Sequence, residues 1–308
     1  MKKVFIDGSA GTTGLRIRER LADRQGIELV TLPEERRKDP SARRDALNGA
    51  DIAFLCLPDD AAIEAVGLVE NPDTAVIDTS TAHRTAEGWV YGFAELAGQR
   101  ERIAASKRIA NPGCHASGFI ALVAPLVKAG LLPENALLSC FSLTGYSGGG
   151  KKMIAQYEAD GRDALLDAPR QYGLGQQHKH LKEMAAVCGL ANMPVFSPIV
   201  ADFYSGMEVS VPLFGSQLSG GIDDVREAYR RCYAGPVVRY MEDADESGFL
   251  SAAALSGRDD MQISVSGNSE RLLLTARFDN LGKGASGAAI QNMNLLLGVE
   301  ETEGLVIG

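Results

Sequence analysis

A cysteine stands at the predicted start of a helix in the stretch NPGCHASGF, residues 111–119. Pro112 and Gly113 form the turn before it, and an apolar, helix-like segment follows. A thiol in the first turn of a helix lies near the positive end of the helix dipole, which favours the nucleophilic thiolate. Cys114 is therefore predicted to be a nucleophile. The other cysteines have the apolar neighbours of buried thiols and are Cys56, Cys140, Cys188 and Cys232.

A base for this thiol must come from four histidines. His115 adjoins Cys114, but neighbours on a helix point about 100° apart, which favours a supporting or surface position for His115. His83 follows a predicted strand in DTSTAHR. His178 and His180 lie in QQHKHLKEM, far along the chain and free to approach the thiol. An HxH pair can also bind a metal, but no cysteine or carboxylate cluster completes such a site, so none is predicted.

The glycines of GSAGTTG, at positions 8, 11 and 14, lie between a predicted strand and a predicted helix. Glycine there lets backbone N–H groups and the helix N-terminus face a pyrophosphate. The spacing departs from GxGxxG, since Ser9 stands where another glycine would fall. The position of the motif at the start of an alternating βα pattern favours dinucleotide binding over a structural turn.

The second predicted strand is followed by EERRKD, which bears on the choice of dinucleotide. Glu34 or Glu35 would suit the ribose hydroxyls of NAD, whereas Arg36, Arg37 and Lys38 would suit the 2′-phosphate of NADP. An exposed loop with no ligand is the remaining interpretation. The three consecutive cations favour NADP.

A second glycine-rich stretch, GYSGGGKK at residues 145–152, follows another apolar strand. Its backbone donors and two lysines fit an anion-binding loop for phosphate or carboxylate. A flexible hairpin explains the same residues, and the spacing does not decide between them.

Composition limits the class of protein. The 308 residues predict two domains, and a net charge of −9 argues against a nucleic-acid or anionic-membrane surface. The chain shows neither a signal segment nor an apolar run of membrane-spanning length. Five cysteines without CxxC spacing favour free thiols in a reducing compartment, which we expect to be the cytoplasm.

The elements that must position these residues change in character along the chain. Up to about residue 113, short apolar strands alternate with helices, which predicts a parallel, doubly wound sheet. Beyond Cys114, strand-like segments predominate and indicate an α+β domain with a largely antiparallel sheet. The final stretch GASGAAIQNMNLLLG is again helical.

Taken together, the motifs resemble those of the short form of the N-acetyl-gamma-glutamyl-phosphate reductases. The resemblance covers nearly the whole chain, through GSAGTTG, DTSTAHR, YGFAEL, NPGCHASG, GYSGGGK, HKHLKEM and DNLGKGASGAAIQNMNLLLG. It implies a Rossmann domain formed by residues 1–113 and 285–308, closed by the C-terminal helix. It also implies an inserted α+β catalytic and dimerisation domain, residues 114–284, of the glyceraldehyde-3-phosphate-dehydrogenase-like type.

The activity implied by this resemblance is the NADPH-dependent reduction of an acyl phosphate to an aldehyde through a thioester on Cys114. The acid–base histidine of the family lies in an HxHxxE pattern, matched here by His178, His180 and Glu183, and the spacing from Tyr172 favours His178 narrowly over His180. The implied cofactor contacts are Gly8, Ser9, Gly11, Thr12, Thr13, Gly14, Arg36, Arg37, Ser80, Asn280 and Gly284. The implied substrate contacts are Arg84, Ser147, Gly148 and Glu183. A small-molecule acyl phosphate and a second copy of the chain, in a dimer or tetramer, are the expected partners.

Other functions account for fewer of these motifs. A sibling reductase of aspartyl phosphate or of carrier-linked aminoadipyl phosphate would share the chemistry. A Cys–His hydrolase would leave GSAGTTG unexplained, and an NADP sensor would have no use for a first-turn cysteine.

The family pattern DxSxxFR has an aromatic residue where this chain has His83 in DTSTAHR, which leaves the packing of that loop open.

Overall fold

The computed structural model describes residues 1–308, which form two compact units. Unit 1 comprises Met1–Ala94, Gly98–Pro112 and Ala285–Leu305. Unit 2 comprises Glu95–Ala97, Gly113–Gly284 and Val306–Gly308.

Unit 1 is built on six parallel strands, as the alternating pattern predicts. They are β1 (Lys2–Asp7), β2 (Ile27–Val30), β3 (Ile52–Leu55), β4 (Ala75–Asp78), β5 (Val90–Tyr91) and β6 (Arg108–Ala110). Their order in the sheet is β2-β1-β3-β4-β6-β5, with every pair parallel. Strand order reverses beside β1, which is where a doubly wound sheet binds ligands.

Helices cover both faces of this sheet. They are α1 (Thr12–Leu21), α2 (Pro40–Gly49), α3 (Asp59–Gly67), α4 (Gln99–Ala105) and, near the C-terminus, α9 (Gly287–Leu297). Because side chains alternate along a strand, Val4 and Ile6 join the core under α1, α4 and α9, whereas Phe5 joins the core under α2 and α3. Helix α2 is not expected from apolar spacing, since Arg43 occupies a buried position there and pairs with Asp7 at 3.0 Å.

Unit 2 contains a seven-stranded mixed sheet. Its strands are β7 (Ser139–Gly145), β8 (Arg170–Gln171), β9 (Val195–Ala201), β10 (Met207–Phe214), β11 (Val238–Tyr240), β12 (Met261–Gly267) and β13 (Arg271–Phe278). The order is β11-β12-β13-β10-β7-β9-β8. The pairs β7–β9 and β11–β12 are parallel and the other four are antiparallel, so the expected sheet is largely, but not wholly, antiparallel.

The remaining helices belong to unit 2 and are α5 (Cys114–Lys128), α6 (Gly150–Tyr157), α7 (His180–Cys188) and α8 (Ile222–Cys232). Helix α5 packs against β10, β13, α7 and α8, so most of its circumference is buried. This burial explains why its sequence is apolar on nearly every side. No helix of the chain combines the length and hydropathy that crossing a bilayer requires.

Candidate active site

The glycine turn of unit 1 requires glycine at two of its three positions. Gly8 has φ +85°, and a Cβ there would lie 2.2 Å from the carbonyl oxygen of Cys56. A Cβ on Gly14 would lie 2.5 Å from the carbonyl oxygen of Gly8. Gly11 caps α1 and donates its N–H to Gly8 at 3.0 Å, but it has room for a methyl group. Thr12 and Thr13 open α1, where backbone N–H groups lack helical acceptors.

A cavity of about 210 Å³ adjoins this turn within unit 1. Gly8 and Ser9 line it on the side of the turn, and residues 29–32 line it beyond β2. Three cationic residues, Arg18, Arg37 and Lys38, also line it. A glycine-lined hollow with three cations fits a phosphorylated nucleotide.

Arg36 behaves differently from its neighbour Arg37. It pairs with Asp39 at 3.1 Å, near the start of α2, and it does not line the cavity. Glu34 and Glu35 lie in an exposed 3₁₀ turn and are also absent from the lining. Arg18 was not predicted from the sequence as a cofactor contact. It lies seven residues after Gly11, and this spacing places both residues on one face of α1.

The DTSTAHR loop of unit 1 is organised around the buried carboxylate of Asp78. This carboxylate accepts hydrogen bonds from the N–H and Oγ of Ser80 at 2.9 and 2.7 Å, and it contacts His83 Nδ1 at 2.6 Å. The His83 ring stacks on Trp89 with centroids 4.1 Å apart. His83 therefore fills the aromatic position that the family pattern occupies with phenylalanine.

Arg84 and Asn111 fix the end of β6 within unit 1. Arg84 donates from Nε to the carbonyl of Asn111 at 3.0 Å and from a terminal nitrogen to Thr79 at 3.1 Å. Asn111 donates to the carbonyl of Ala285 at 3.0 Å and accepts from Asn292 of α9 at 3.1 Å. Asn111, which precedes the Pro112–Gly113 turn, is thus held by side-chain and backbone contacts that the sequence does not predict.

Cys114 is the first residue of α5, and its side chain is partly exposed. Gly113 caps the helix in an extended conformation and donates its N–H to the Glu183 carboxylate at 3.2 Å. That carboxylate is buried and lies 3.9 Å from His180 Nε2. A Cβ on Gly284 would come within 3.0 Å of the Cβ of Cys114, so the GKGASG segment lies against the thiol.

Three histidines cluster in unit 2. The ring centroid of His115 lies 5.8 Å from that of His178 and 5.6 Å from that of His180. The rings of His178 and His180 have centroids 4.7 Å apart. His178 accepts the backbone N–H of His180 on Nδ1 at 3.2 Å. His115 is buried between Ser142 and Tyr172, each at 2.6 Å from one ring nitrogen. Burial, together with the charge of His178, lowers the pKa of His115 to about 3.

Other cysteines have the environment of inert thiols. Burial raises the pKa of Cys56 to about 12 and raises the pKa of Cys140 and Cys188 further. Cys140 and Cys188 are buried as expected, whereas Cys56 and Cys232 are only half-buried. No group of three or more His, Cys, Asp or Glu side chains could hold a metal ion.

The GYSGGGKK stretch forms a 3₁₀ turn, Tyr146–Gly149, followed by α6. The hairpin interpretation is therefore wrong, because Gly150 turns the chain into a helix at φ +71°. Ser147 is buried and accepts a hydrogen bond from Asn280 Nδ2 at 3.0 Å. Asn280 Oδ1 in turn accepts the N–H of Gly206 at 2.9 Å.

Sequence reasoning also missed a buried ion pair in unit 2. Lys283, within a π-helical turn, lies 2.7 Å from the Glu95 carboxylate, and both side chains are nearly inaccessible. Glu95 lies in YGFAEL and Lys283 in the GKGASG segment, both motifs of the family resemblance, but nothing in the spacing of two segments so far apart indicates that they are in contact.

Two family descriptions and several relatives match this chain. "Semialdehyde dehydrogenase, NAD binding domain" matches residues 3–106, and "Semialdehyde dehydrogenase, dimerisation domain" matches residues 114–280. A relative from Brucella ovis, named N-acetyl-gamma-glutamyl-phosphate reductase, is 49% identical over 306 residues, covering 96% of this chain and 99% of its own. The chain belongs to the N-acetyl-gamma-glutamyl-phosphate reductase family. A Nostoc relative, named N-acetyl-gamma-glutamyl-phosphate reductase 2, is 46% identical and covers 98% of this chain and 99% of its own.

Solved structures resemble this reductase-family chain in fold. Aspartate semialdehyde dehydrogenase II from Vibrio cholerae, complexed with ASA, is 16% identical with a TM-score of 0.72, covering 96% of this chain and 98% of its own. Aspartate semialdehyde dehydrogenase from Francisella tularensis is 14% identical with a TM-score of 0.72, covering 96% and 100%. The expected fold class is confirmed, with a dinucleotide-binding parallel sheet in one domain and a mixed sheet in the other.

Proposed function

We propose that this chain reduces N-acetyl-glutamyl 5-phosphate to N-acetyl-glutamate 5-semialdehyde, using NADPH. Residues 1–113 and 285–308 would bind the cofactor, and residues 114–284 would carry the chemistry. The observation that carries the proposal is Cys114, partly exposed at the first position of α5, in a unit that also gathers three histidines. The relatives that are 46–49% identical bear the name of this reductase.

Cys114 would act first as a nucleophile. Its thiolate attacks the acyl carbon, a C–S bond forms, and the C–O bond to phosphate breaks, so inorganic phosphate leaves and a thioester remains. The N-terminus of α5 favours the thiolate. The Glu183 carboxylate at Gly113 occupies one donor of the same turn and opposes that effect, so a nearby histidine is needed to take the proton.

The cavity of unit 1 fits a phosphorylated dinucleotide. Gly8 and Gly14 allow the backbone approach that a pyrophosphate needs, and Arg18, Arg37 and Lys38 supply charge for a 2′-phosphate. These three cations support NADP over NAD. When bound, the reduced nicotinamide supplies the hydride that converts the thioester into a thiohemiacetal. A protonated histidine of unit 2 would donate to the oxygen of the thiohemiacetal and take that proton back as the C–S bond breaks, so that the aldehyde and the Cys114 thiolate are released.

His178 is the proposed acid–base residue. Its side chain is partly exposed, whereas His180 is buried against Glu183 and starts α7. A group that exchanges protons with a substrate must reach it, which favours the exposed ring. His180 would then hold Glu183, and Glu183 would position the turn at Gly113 in preference to binding substrate directly.

The remaining predicted contacts are part of the same proposal. Gly284 adjoins Cys114, and Gly148 lies beside Asn280 and Thr144, so both suit the neighbourhood of the reacting group. Ser80, Arg84, Ser147 and Asn280 hold backbone or buried side-chain partners, which makes them supports for the site.

A second copy of the chain is the proposed macromolecular partner. Register places Phe141, Val195, Phe214 and Leu273 on one face of the unit 2 sheet, and all four are exposed. An apolar face of this kind suits an interface between subunits. Sedimentation that gives only a monomer at micromolar concentration would remove this part of the proposal.

Five free thiols agree with the proposed cytoplasmic location.

One assay tests the function. NADP reduction at 340 nm is followed with N-acetyl-glutamate 5-semialdehyde and phosphate, for the intact protein and for Cys114→Ser. We expect activity in the intact protein and a loss of about 10⁴-fold or more in the variant. Cys188→Ala, which removes a buried thiol from the same unit, should stay active.

Two results would contradict the proposal. An intact protein without activity would remove the assigned reaction, and activity surviving in Cys114→Ser would remove the thioester. Aspartate semialdehyde in place of the acetylated substrate tests the sibling reductase, which would show the higher kcat/KM with it.

A further inference from the structure

A chain of three polar side chains runs through unit 2 beside the nucleophile and has no part in the reaction described above. Ser142, on β7, is fully buried and lies 2.6 Å from His115 Nδ1. His115, on α5 next to Cys114, lies 2.6 Å from the Tyr172 hydroxyl through Nε2. Tyr172 directly follows β8, so three separate elements are joined by two short hydrogen bonds.

The direction of these hydrogen bonds follows from the neutrality of the ring. The pKa of His115, lowered to about 3 by burial and by His178, leaves one N–H and one lone pair at neutral pH. With the proton on Nε2, Ser142 donates to Nδ1 and the ring donates to the Tyr172 oxygen. With the proton on Nδ1, Ser142 becomes the acceptor and its own hydroxyl proton has no partner in the structure. The Nε2–H form instead leaves the Tyr172 proton without a protein acceptor. Tyr172 is only half-buried, so its O–H can reach water or a substrate, whereas the O–H of fully buried Ser142 cannot. The Nε2–H form is therefore the stable one.

In that form the Tyr172 proton is not used by His115 and is available to a third group. Burial raises the pKa of Tyr172, and the charge of Cys114 raises it further, so the phenol stays protonated and within electrostatic reach of the thiolate. The part of a substrate nearest to that sulfur is the carbonyl that it attacks. Its oxygen gains negative charge as the C–S bond forms, and a fixed O–H donor stabilises that charge more than it stabilises the starting carbonyl.

We propose that Tyr172 donates a hydrogen bond to the carbonyl oxygen of the group attacked by Cys114, and that His115 and Ser142 are the positioning residues that aim it. This inference rests on the proposed function for the identity of the reacting group. It gives His115 a positioning role, although His115 is adjacent to the nucleophile in sequence and does not exchange protons with it.

The arrangement can be measured without any substrate. Nitrogen NMR of protein labelled on histidine distinguishes the two neutral tautomers, and only four histidines contribute signals. We expect His115 to show the neutral Nε2–H form throughout the range of about pH 5 to 8, where an ordinary histidine would titrate. The assignment comes from the signal that disappears in His115→Gln. A proton on Nδ1, or a midpoint within that range, would overturn the proposed direction.

The role of Tyr172 is measured by kinetics. Tyr172→Phe should lower kcat by about 10²-fold, as for loss of an oxyanion donor, with little change in KM. His115→Leu should lose about as much, and the double variant should lose no more than either single one, because both changes remove the same hydrogen bond. His115→Gln can keep an amide N–H near the place of Nε2 and should recover part of the loss.

Tyr240→Phe is the matched control, because it removes a tyrosine hydroxyl at the opposite edge of the same sheet and should leave kcat unchanged. Alkylation of Cys114 by iodoacetamide at unchanged rate shows that each variant keeps its thiol environment. An unchanged kcat in Tyr172→Phe, or additive losses in the double variant, would contradict the role proposed for Tyr172. Failure of the proposed function would give a different result, because the intact protein would be inactive while the NMR measurement on His115 would be unaffected.

Discussion

The glycine turn of unit 1 and the thiol centre of unit 2 are built in opposite ways. The turn is contiguous in sequence and works through backbone groups, with Gly8 and Gly14 leaving space that any side chain would fill. The thiol centre works through side chains that come from α5, β7, α7 and the residues between β8 and α7. Ligand binding at the glycine turn therefore depends on the space next to the backbone. Catalysis at the thiol centre depends on the protonation states of the side chains and on the directions of their hydrogen bonds.

The largest effect after loss of the nucleophile should come from His178, the first histidine of HKH. His178→Asn should lower kcat by about 10³-fold, within the range for removing a general acid or base. His180→Asn should lower it by roughly tenfold, because it acts through Glu183 and not on the substrate. Steady-state kinetics with NADPH saturating measures both. The reverse order would exchange the two roles and break the idea that exposure selects the acid–base residue.

The next prediction concerns space in the turn. Gly8→Ala should weaken NADPH binding by about 10- to 100-fold, since the strain of placing alanine at positive φ against a carbonyl oxygen is about 1–3 kcal/mol. Gly11→Ala is the matched control, because φ is ordinary there and the nearest atom is 3.4 Å from the new methyl group. Titration by protein fluorescence compares the two Kd values. Equal losses in both variants would mean that the motif acts as a unit and not through individual clashes.

The same contrast explains what the sequence could predict. Strands β1 to β4, helix α5 and the need for glycine at position 8 follow from local patterns, because short-range sterics and apolar spacing determine them. The contact of His115 with Tyr172 does not, because β8 and α5 meet only through the tertiary fold. His115 was expected in a supporting or surface position, and its burial makes it a support.

Arg43 and Lys283 mark another limit of sequence reasoning. Both are cations in buried positions that pair with carboxylates far along the chain: Arg43 with Asp7 and Glu64, and Lys283 with Glu95. Charged residues are almost never fully buried unless paired, so hydropathy assigns them to the surface. Only knowledge of the partner reverses that assignment.

A smaller effect should distinguish two adjacent arginines in unit 1. Arg37→Ala should raise the Kd for NADPH by roughly tenfold, as for loss of one hydrogen-bonded charge, and leave that for NADH unchanged. Arg36→Ala should change neither by more than about twofold, because Arg36 is exposed and pairs with Asp39 outside the cavity. Losses of equal size for NADPH and NADH in Arg37→Ala would contradict recognition of the 2′-phosphate.

A separate prediction concerns stability in acid, and it distinguishes the two kinds of site again, because backbone groups of the turn do not titrate. The pKa of His115 is lowered in the folded protein from 6.5 to about 3. The unfolded chain therefore binds a proton that the folded chain does not, and this contribution to stability is complete above about pH 6.5 and is lost as the pH falls. The free energy of unfolding should fall by about 1.4 kcal/mol per pH unit from this group alone. For urea unfolding of the whole protein, the free energy should depend less steeply on pH between 6.5 and 4.5 in His115→Gln than in Cys188→Ala, which keeps every histidine. Identical slopes would mean that His115 binds a proton in the folded protein as it does in the unfolded chain; both ring nitrogens would then be donors, and the neutral Nε2–H form assigned to His115 would be wrong.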